Sequence, residues 1–220
     1  AVFGVFVLAG CSEDDLKKTS AVLDSPTVEN DFDRWLAKNY MEPYNIDFKY
    51  RFKDVLGDMD YNLTPADYGQ AIKLAKLTLH LTLQVYDEVT GNRQFISENF
   101  PKIVHVIGSP AYNENNNIVL GVAEGGKMMT LYQVNIIDYL LETKNIDQLN
   151  ELFFKTMHHE FGHILHQTRP YSTDFNAVTP SSYVGDACFD TYRTDAAARQ
   201  AGFITRYSSK APDEDFVEQL

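Results

Sequence analysis

Four of the six histidines fall in one nine-residue run, His158-His159-Glu160-Phe161-Gly162-His163-Ile164-Leu165-His166. Within it, His159, Glu160 and His163 form an H-E-x-x-H pattern. On a helix, residues i and i+4 share a face and lie about 6 Å apart along the axis, so both imidazoles can reach one Zn²⁺ at about 2.0–2.1 Å. Glu160 is turned by about 100° from His159 and reaches a metal-bound water instead of the metal. Zinc lowers the pKa of such a water toward about 7, and a neighbouring carboxylate can take its proton and return it later. That is the chemistry of hydrolysis. Zinc is the expected cofactor, although two histidines and a carboxylate also suit Fe, Co or Ni.

A third protein ligand is needed. His166, at i+7 from His159, lies on nearly the same face but about 10 Å along the axis, too far for both to reach one ion past His163 without stretching. Asp174 and Asp186 are loop carboxylates with no helix to hold them. Better placed are Tyr207, Glu214 and Glu218, spaced Y-x6-E-x3-E, with Pro212 opening a helix that carries both glutamates on one face. The competing reading is a solvated acidic face. His158 is expected to support the helix surface.

The elements must present these groups. Asn145 and Gln148 form a capping box, and Ile146, Leu149, Leu152, Phe153, Met157, Phe161, Ile164 and Leu165 keep a helical period until Pro170. The spacing predicts a helix over 146–167. Upstream, Phe32, Trp35 and Leu36 predict a helix over 31–40. Ile46, Phe48, Tyr50 and Phe52 alternate as a strand. Thr64 as cap and Pro65 at the first position predict a long buried helix over 65–89. Strands are expected over 102–107, 118–122 and 127–134, the last two joined through Glu124-Gly125-Gly126, with a turn at 113–117. Helices are expected over 191–201 and from 212. This order gives an α+β class.

The chain has 220 residues, with 19 basic against 31 acidic side chains and a net charge of -12. Disordered and collagen-like classes are excluded, and so is a nucleic-acid surface. Two cysteines make no disulfide scaffold. Ala1 to Gly10 is apolar and far shorter than the about 20 residues that span a bilayer. It reads as the remnant of a secretory signal. Leu8-Ala9-Gly10-Cys11 resembles the bacterial lipobox, which implies acylation of Cys11. The polar stretch 11–30 then serves as a tether, and 31–220 is the folded domain, expected to be truncated at its C-terminus because Leu220 lies six residues past Glu214. Cys188 is expected to be a buried free thiol, or the partner of Cys11 if Cys11 is not lipidated.

The run from His159 to His163, followed by Tyr207 and Glu214-Asp215-Phe216-Val217-Glu218, resembles the catalytic domain of anthrax lethal factor, a glutamate zincin. The resemblance implies that His159, His163 and Glu214 bind the metal, that Glu160 is the base and that Tyr207 stabilises the oxyanion. Glu218 would bond a ligand imidazole from behind. The whole chain, through Tyr44-Asn45-Ile46-Asp47-Phe48-Lys49-Tyr50-Arg51-Phe52 and Gly108-Ser109-Pro110-Ala111-Tyr112, resembles the substrate import-associated zinc metallohydrolase lipoproteins of Bacteroidota, a zinc-binding metallopeptidase family. That implies a zincin-like domain with a small mixed sheet and an active-site helix. It further implies a cell-surface outer-membrane lipoprotein beside a SusD-like import complex, hydrolysing peptide bonds through a zinc-activated water. In zincins the substrate pairs with an edge strand, and the strands flanking Glu124-Gly125-Gly126 are the ones expected to supply it. Two alternatives stand: a non-catalytic accessory with structural zinc, and hydrolysis of a non-peptide amide. An open ligand position and a Glu160 without a structural task favour an enzyme.

Overall fold

The computed structural model describes residues 29–53, 61–112, 118–178 and 182–219. The readings that fall on residues 1–28, including Cys11, and on the turn at 113–117 lie outside them.

The first helix, α1, runs over 31–44 and buries Phe32, Leu36, Tyr40 and Tyr44, one per turn along a single stripe. It ends on Asn45, whose φ of 55° is left-handed. Its expected range stopped four residues short. The second helix, α2, covers 68–90 and ends at Gly91 in the same conformation. Asp67, not Thr64, caps it, accepting the Gln70 N–H at 3.1 Å. Thr64 and Pro65 are committed elsewhere: the Gly108 N–H donates to the Thr64 carbonyl at 2.9 Å, and Pro65 bridges Ile107. Long-range pairing thus overrides the local start signal.

Four strands form the main sheet: β1 (Asp47–Lys49), β2 (Ile103–Val106), β5 (Gly121–Glu124) and β6 (Met128–Leu131). Their order is β1-β2-β6-β5, parallel except for the antiparallel β5 at one edge. A separate antiparallel pair joins β3 (Ala111–Tyr112) to β4 (Ile118–Val119), so the expected strand over 118–122 is two strands. The register aligns Phe48, Val104, Met129 and Ala123 across one face, which packs on the helices. Lys49, His105, Thr130 and Val122 line the other.

Short helices α3 (Gln94–Asn99) and α4 (Ile137–Glu142) lie where sequence periodicity marked no element. The long helix α5 covers 146–168. The helix expected over 191–201 is broken into α6 (Cys188–Thr191) and α7 (Asp195–Gln200), because the Thr194 hydroxyl starts a new helix by accepting the Ala197 N–H at 3.2 Å. Last comes α8 (Pro212–Val217). The result is an α+β fold, a small mixed sheet against several helices. Cys188 is a buried free thiol. Among the described residues no helix is long and apolar enough to cross a membrane.

Candidate metal centre

Asn145 caps the helix: the Gln148 N–H donates to Asn145 Oδ1 at 3.2 Å, and the Asn145 side-chain amide, in place of the backbone N–H of a capping box, donates to Gln148 Oε1 at 2.9 Å. From there α5 drives Phe153, Met157, Phe161 and Ile164 into the core. Its other face leaves His159, Glu160 and His163 half-buried. Pro212 sets the start of α8, and this short helix buries Glu214, Asp215 and Val217. The Tyr183 hydroxyl anchors it by donating to Asp215 Oδ2 at 3.0 Å. A solvated acidic face is therefore not what α8 presents, since Glu214 is only 8% exposed.

α5 and α8 bring three ligand atoms together. His159 Nε2 and His163 Nε2 lie 3.0 and 3.1 Å from Glu214 Oε2, and 3.1 Å from each other. Ligand atoms around a tetrahedral ion with bonds of about 2.0–2.1 Å stand about 3.3–3.4 Å apart. The triangle thus fits a zinc-sized ion with little adjustment. Bare imidazole nitrogens and a carboxylate oxygen repel one another, so a cation or protons must hold such a set. No other group of three His, Cys, Asp or Glu ligand atoms converges this way among the described residues.

The supporting groups are ordered around this triangle. Glu218 Oε1 lies 3.2 Å from His159 Nδ1, and Glu218 Oε2 accepts the Thr205 hydroxyl at 2.9 Å and faces Lys155 Nζ at 3.5 Å. Burial opposes protonation of His159, but hydrogen bonds to Glu214 and Glu218 outweigh it and raise its pKa to about 9 in the metal-free protein. Burial likewise opposes ionisation of Glu214, and bonds from His159, His163 and Lys210 overcome it, holding the carboxyl far below the usual carboxylate range. The Tyr207 hydroxyl donates to Glu214 Oε1 at 3.0 Å, and Lys210 Nζ donates to the same oxygen at 3.1 Å. Burial and the Glu214 charge push the Tyr207 phenol up to about 12.

Glu160 lies beside the edge strand. The Leu120 carbonyl accepts the Tyr132 N–H, so by alternation Gly121 and Ala123 turn their backbone groups away from β6. The Ala123 N–H meets the Glu160 carboxylate, and burial raises the Glu160 pKa above its ordinary value. Of the two strands expected to supply an edge, β5 is the one at the sheet's margin.

His166 is not with the triangle: its ring stacks on Tyr171 at 4.3 Å, and Tyr171 stacks on Phe216 at 4.4 Å. Asp174 and Asp186 lie in short turns, Thr173–Ala177 and Gly185–Ala187, outside it. His158 Nδ1 bonds the Tyr86 hydroxyl at 2.9 Å, tying α5 to α2. Sequence reasoning missed Lys210, Thr205 and Lys155. Only Lys210 carried a local signal, its spacing four before Glu214 on the approach to α8.

Comparison with known proteins follows the same line. The sequence model of a family described as "Putative zinc-binding metallo-peptidase" matches residues 25–220. A solved structure of a protein from Bacteroides caccae ATCC 43185, titled with the same words, is 39% identical; it matches over 85% of this chain and 69% of that one, with a TM-score of 0.68. No curated protein matches the chain.

Proposed function

The chain belongs to that zinc-binding metallo-peptidase family, and from this premise we propose that it is a zinc-dependent peptidase with His159, His163 and Glu214 as ligands. One observation carries the reading: two imidazole nitrogens and a carboxylate oxygen from separate helices meet within 3.1 Å. Bound zinc supplies Lewis-acid polarisation of the scissile carbonyl and of water. Glu160 takes up a proton and delivers it to the leaving amine, a task suited to a carboxyl whose pKa burial has raised. The Ala123 N–H fixes that carboxylate against β5. Tyr207 offers its hydroxyl proton to the oxygen of the scissile carbonyl as negative charge builds there. The outer edge of β5, which pairs with no strand among the described residues, is suited to an extended peptide, which would add as a further strand beside the Ala123 N–H that holds Glu160.

Glu160→Gln and Glu214→Ala test the assignment on a peptide library together with zinc content. Glu160→Gln should keep zinc and lose cleavage, whereas Glu214→Ala should lose zinc. Full zinc occupancy in Glu214→Ala would remove Glu214 from the ligand set, and a zinc-loaded parent that cuts no peptide would remove the peptidase reading. The sequence Leu8-Ala9-Gly10-Cys11 supports a surface lipoprotein anchored through an acylated Cys11. Metabolic labelling with a fatty-acid analogue should mark the parent and spare Cys11→Ser; equal labelling of both would exclude that anchor.

A further inference from the structure

We propose that Lys210 is a positioning residue that releases Tyr207, keeping the hydrogen bond to Glu214 when the tyrosine hydroxyl turns to an oxygen held at the metal. The inference rests on the assignments above, Glu214 as ligand and Tyr207 as donor.

The geometry poses a problem that Lys210 solves. Glu214 uses Oε2 toward both imidazoles and Oε1 toward Tyr207 and Lys210. Its side chain is 11% exposed, so water is a poor substitute for a lost donor. Tyr207 has one hydroxyl proton, and it is committed to Glu214 Oε1 at 3.0 Å. The same proton cannot also serve a carbonyl oxygen. If Tyr207 left alone, a buried ligand carboxylate would lose the bond that aims it. An ammonium has three donors. Lys210 Nζ reaches Glu214 Oε1 at 3.1 Å and the Tyr207 oxygen at 3.2 Å, closing a triangle with the 3.0 Å bond. One proton can therefore leave the triangle while every heavy atom stays bonded. Lys210 remains protonated throughout.

Local structure builds this arrangement. A single turn over Tyr207–Ser209 is closed by the Lys210 N–H to the Tyr207 carbonyl at 2.9 Å, which sets the two side chains side by side. The ammonium lies 5.0 Å from the centre of the Tyr207 ring, a cation–π contact that keeps it with the tyrosine. Pro212 then starts α8 and places Glu214 four residues past the lysine.

The test uses the full chain loaded with Co²⁺, whose visible spectrum reports both metal uptake and binding of acetohydroxamate, a small metal-seeking probe with a carbonyl-type oxygen. The variants are Lys210→Met, Tyr207→Phe and the pair together, with metal-free melting curves as the check on folding; Lys210→Gln replaces Lys210→Met if the latter unfolds. Each single variant should hold Co²⁺ within about threefold of the parent, because one donor still satisfies Oε1, while the double variant loses about thirtyfold or more. Acetohydroxamate should bind about tenfold more weakly to either single variant and no more weakly to the pair than to the weaker single. Metal losses that simply multiply, or a Lys210→Met protein that binds acetohydroxamate within twofold of the parent, would overturn the proposal. Glu214→Ala separates the two levels: if it keeps its metal, the ligand assignment fails, and if it loses metal while Lys210→Met behaves as the parent, only the role of Lys210 fails.

Discussion

Glu218 offers the sharpest test of how the centre is held. Its side chain is 4% exposed, and Oε1 lies 3.2 Å from His159 Nδ1. With Nδ1–H donated to that carboxylate, the ring keeps the Nε2 lone pair for a metal. Loss of such a partner weakens metal binding about 10–100-fold, or about 1.4–2.7 kcal/mol. The range divides between two variants. Glu218→Gln retains an accepting oxygen and the shape but not the charge, so it belongs near tenfold. Glu218→Ala leaves the buried imidazole N–H without its acceptor and also removes the contacts to the Thr205 hydroxyl and Lys155, so it belongs near a hundredfold. Proton competition modifies what is measured. The same carboxylate helps raise the His159 pKa to about 9, so at pH 7 the parent must release a proton before the ring can bind. Removing Glu218 relieves that competition and conceals part of the loss. The parent-to-variant affinity ratio should therefore widen from pH 7 to pH 9. Zinc titration against a chelating dye at both pH values gives the ratios. A Glu218→Ala protein within threefold of the parent at pH 9, or a ratio that narrows as pH rises, would refute this account of Glu218.

Two further perturbations probe the frame. A Cβ added at Gly121 would stand 2.7 Å from Thr156 Cγ2 and 3.2 Å from the Thr130 carbonyl, so Gly121→Ala should lift β5 from α5 at a cost of about 1–3 kcal/mol. Cleavage should fall while zinc stays bound, and Thr156→Ser, which deletes the clashing methyl, should restore most of the melting temperature; no rescue would mean the clash is not the cause. His105 is fully buried, neither ring nitrogen has a hydrogen-bond partner among the described residues, and burial holds its pKa below the ordinary value. The unfolded chain then binds the proton first, so this contribution to stability is complete above about pH 6.5 and is lost as pH falls below it, by up to about 1.4 kcal/mol per unit. Urea melts at pH 7 and pH 5 should show a smaller acid loss for His105→Leu than for the parent, and equal losses would refute it.

The parts of the fold legible in the sequence are those fixed by neighbours along the chain. The period of α5 and its Asn145 cap involve residues three or four apart, and both appear as read, with Gln148 bonding the Asn145 side chain and not its backbone. Ile46, Phe48 and Tyr50 are buried on one face as their alternation requires, even though only Asp47–Lys49 pairs with a neighbouring strand. Errors occur where a distant partner intervenes. Thr64-Pro65 has the form of a helix start, yet its backbone is held by Gly108 and Ile107 from another part of the chain. The close approach there explains why Gly108 is a glycine: a Cβ would stand 2.1 Å from the Pro65 carbonyl.

The site divides along the same line, and geometry explains why. One straight helix brings to a single ion only side chains about one turn apart, i with i+3 or i+4, because each further turn adds about 5.4 Å along the axis. His159 and His163 use that allowance, and His166, three residues further on, stacks on Tyr171 instead. A third ligand must then come from another element, and no periodicity within α5 can name it. Glu214 lies 55 residues from His159 and 51 from His163. Its helix has only six residues, too short to be stable alone. What holds it is tertiary: Val217 in the core, Asp215 bonded to Tyr183, and Glu214 itself gripped by Tyr207 and Lys210. A buried carboxylate so placed needs cations on both sides. Lys210 supplies one at Oε1, and the imidazole pair at Oε2 is arranged for the other, so Glu214, favoured by its spacing over the competing reading of a solvated acidic face, carries the charge that a bound metal would balance.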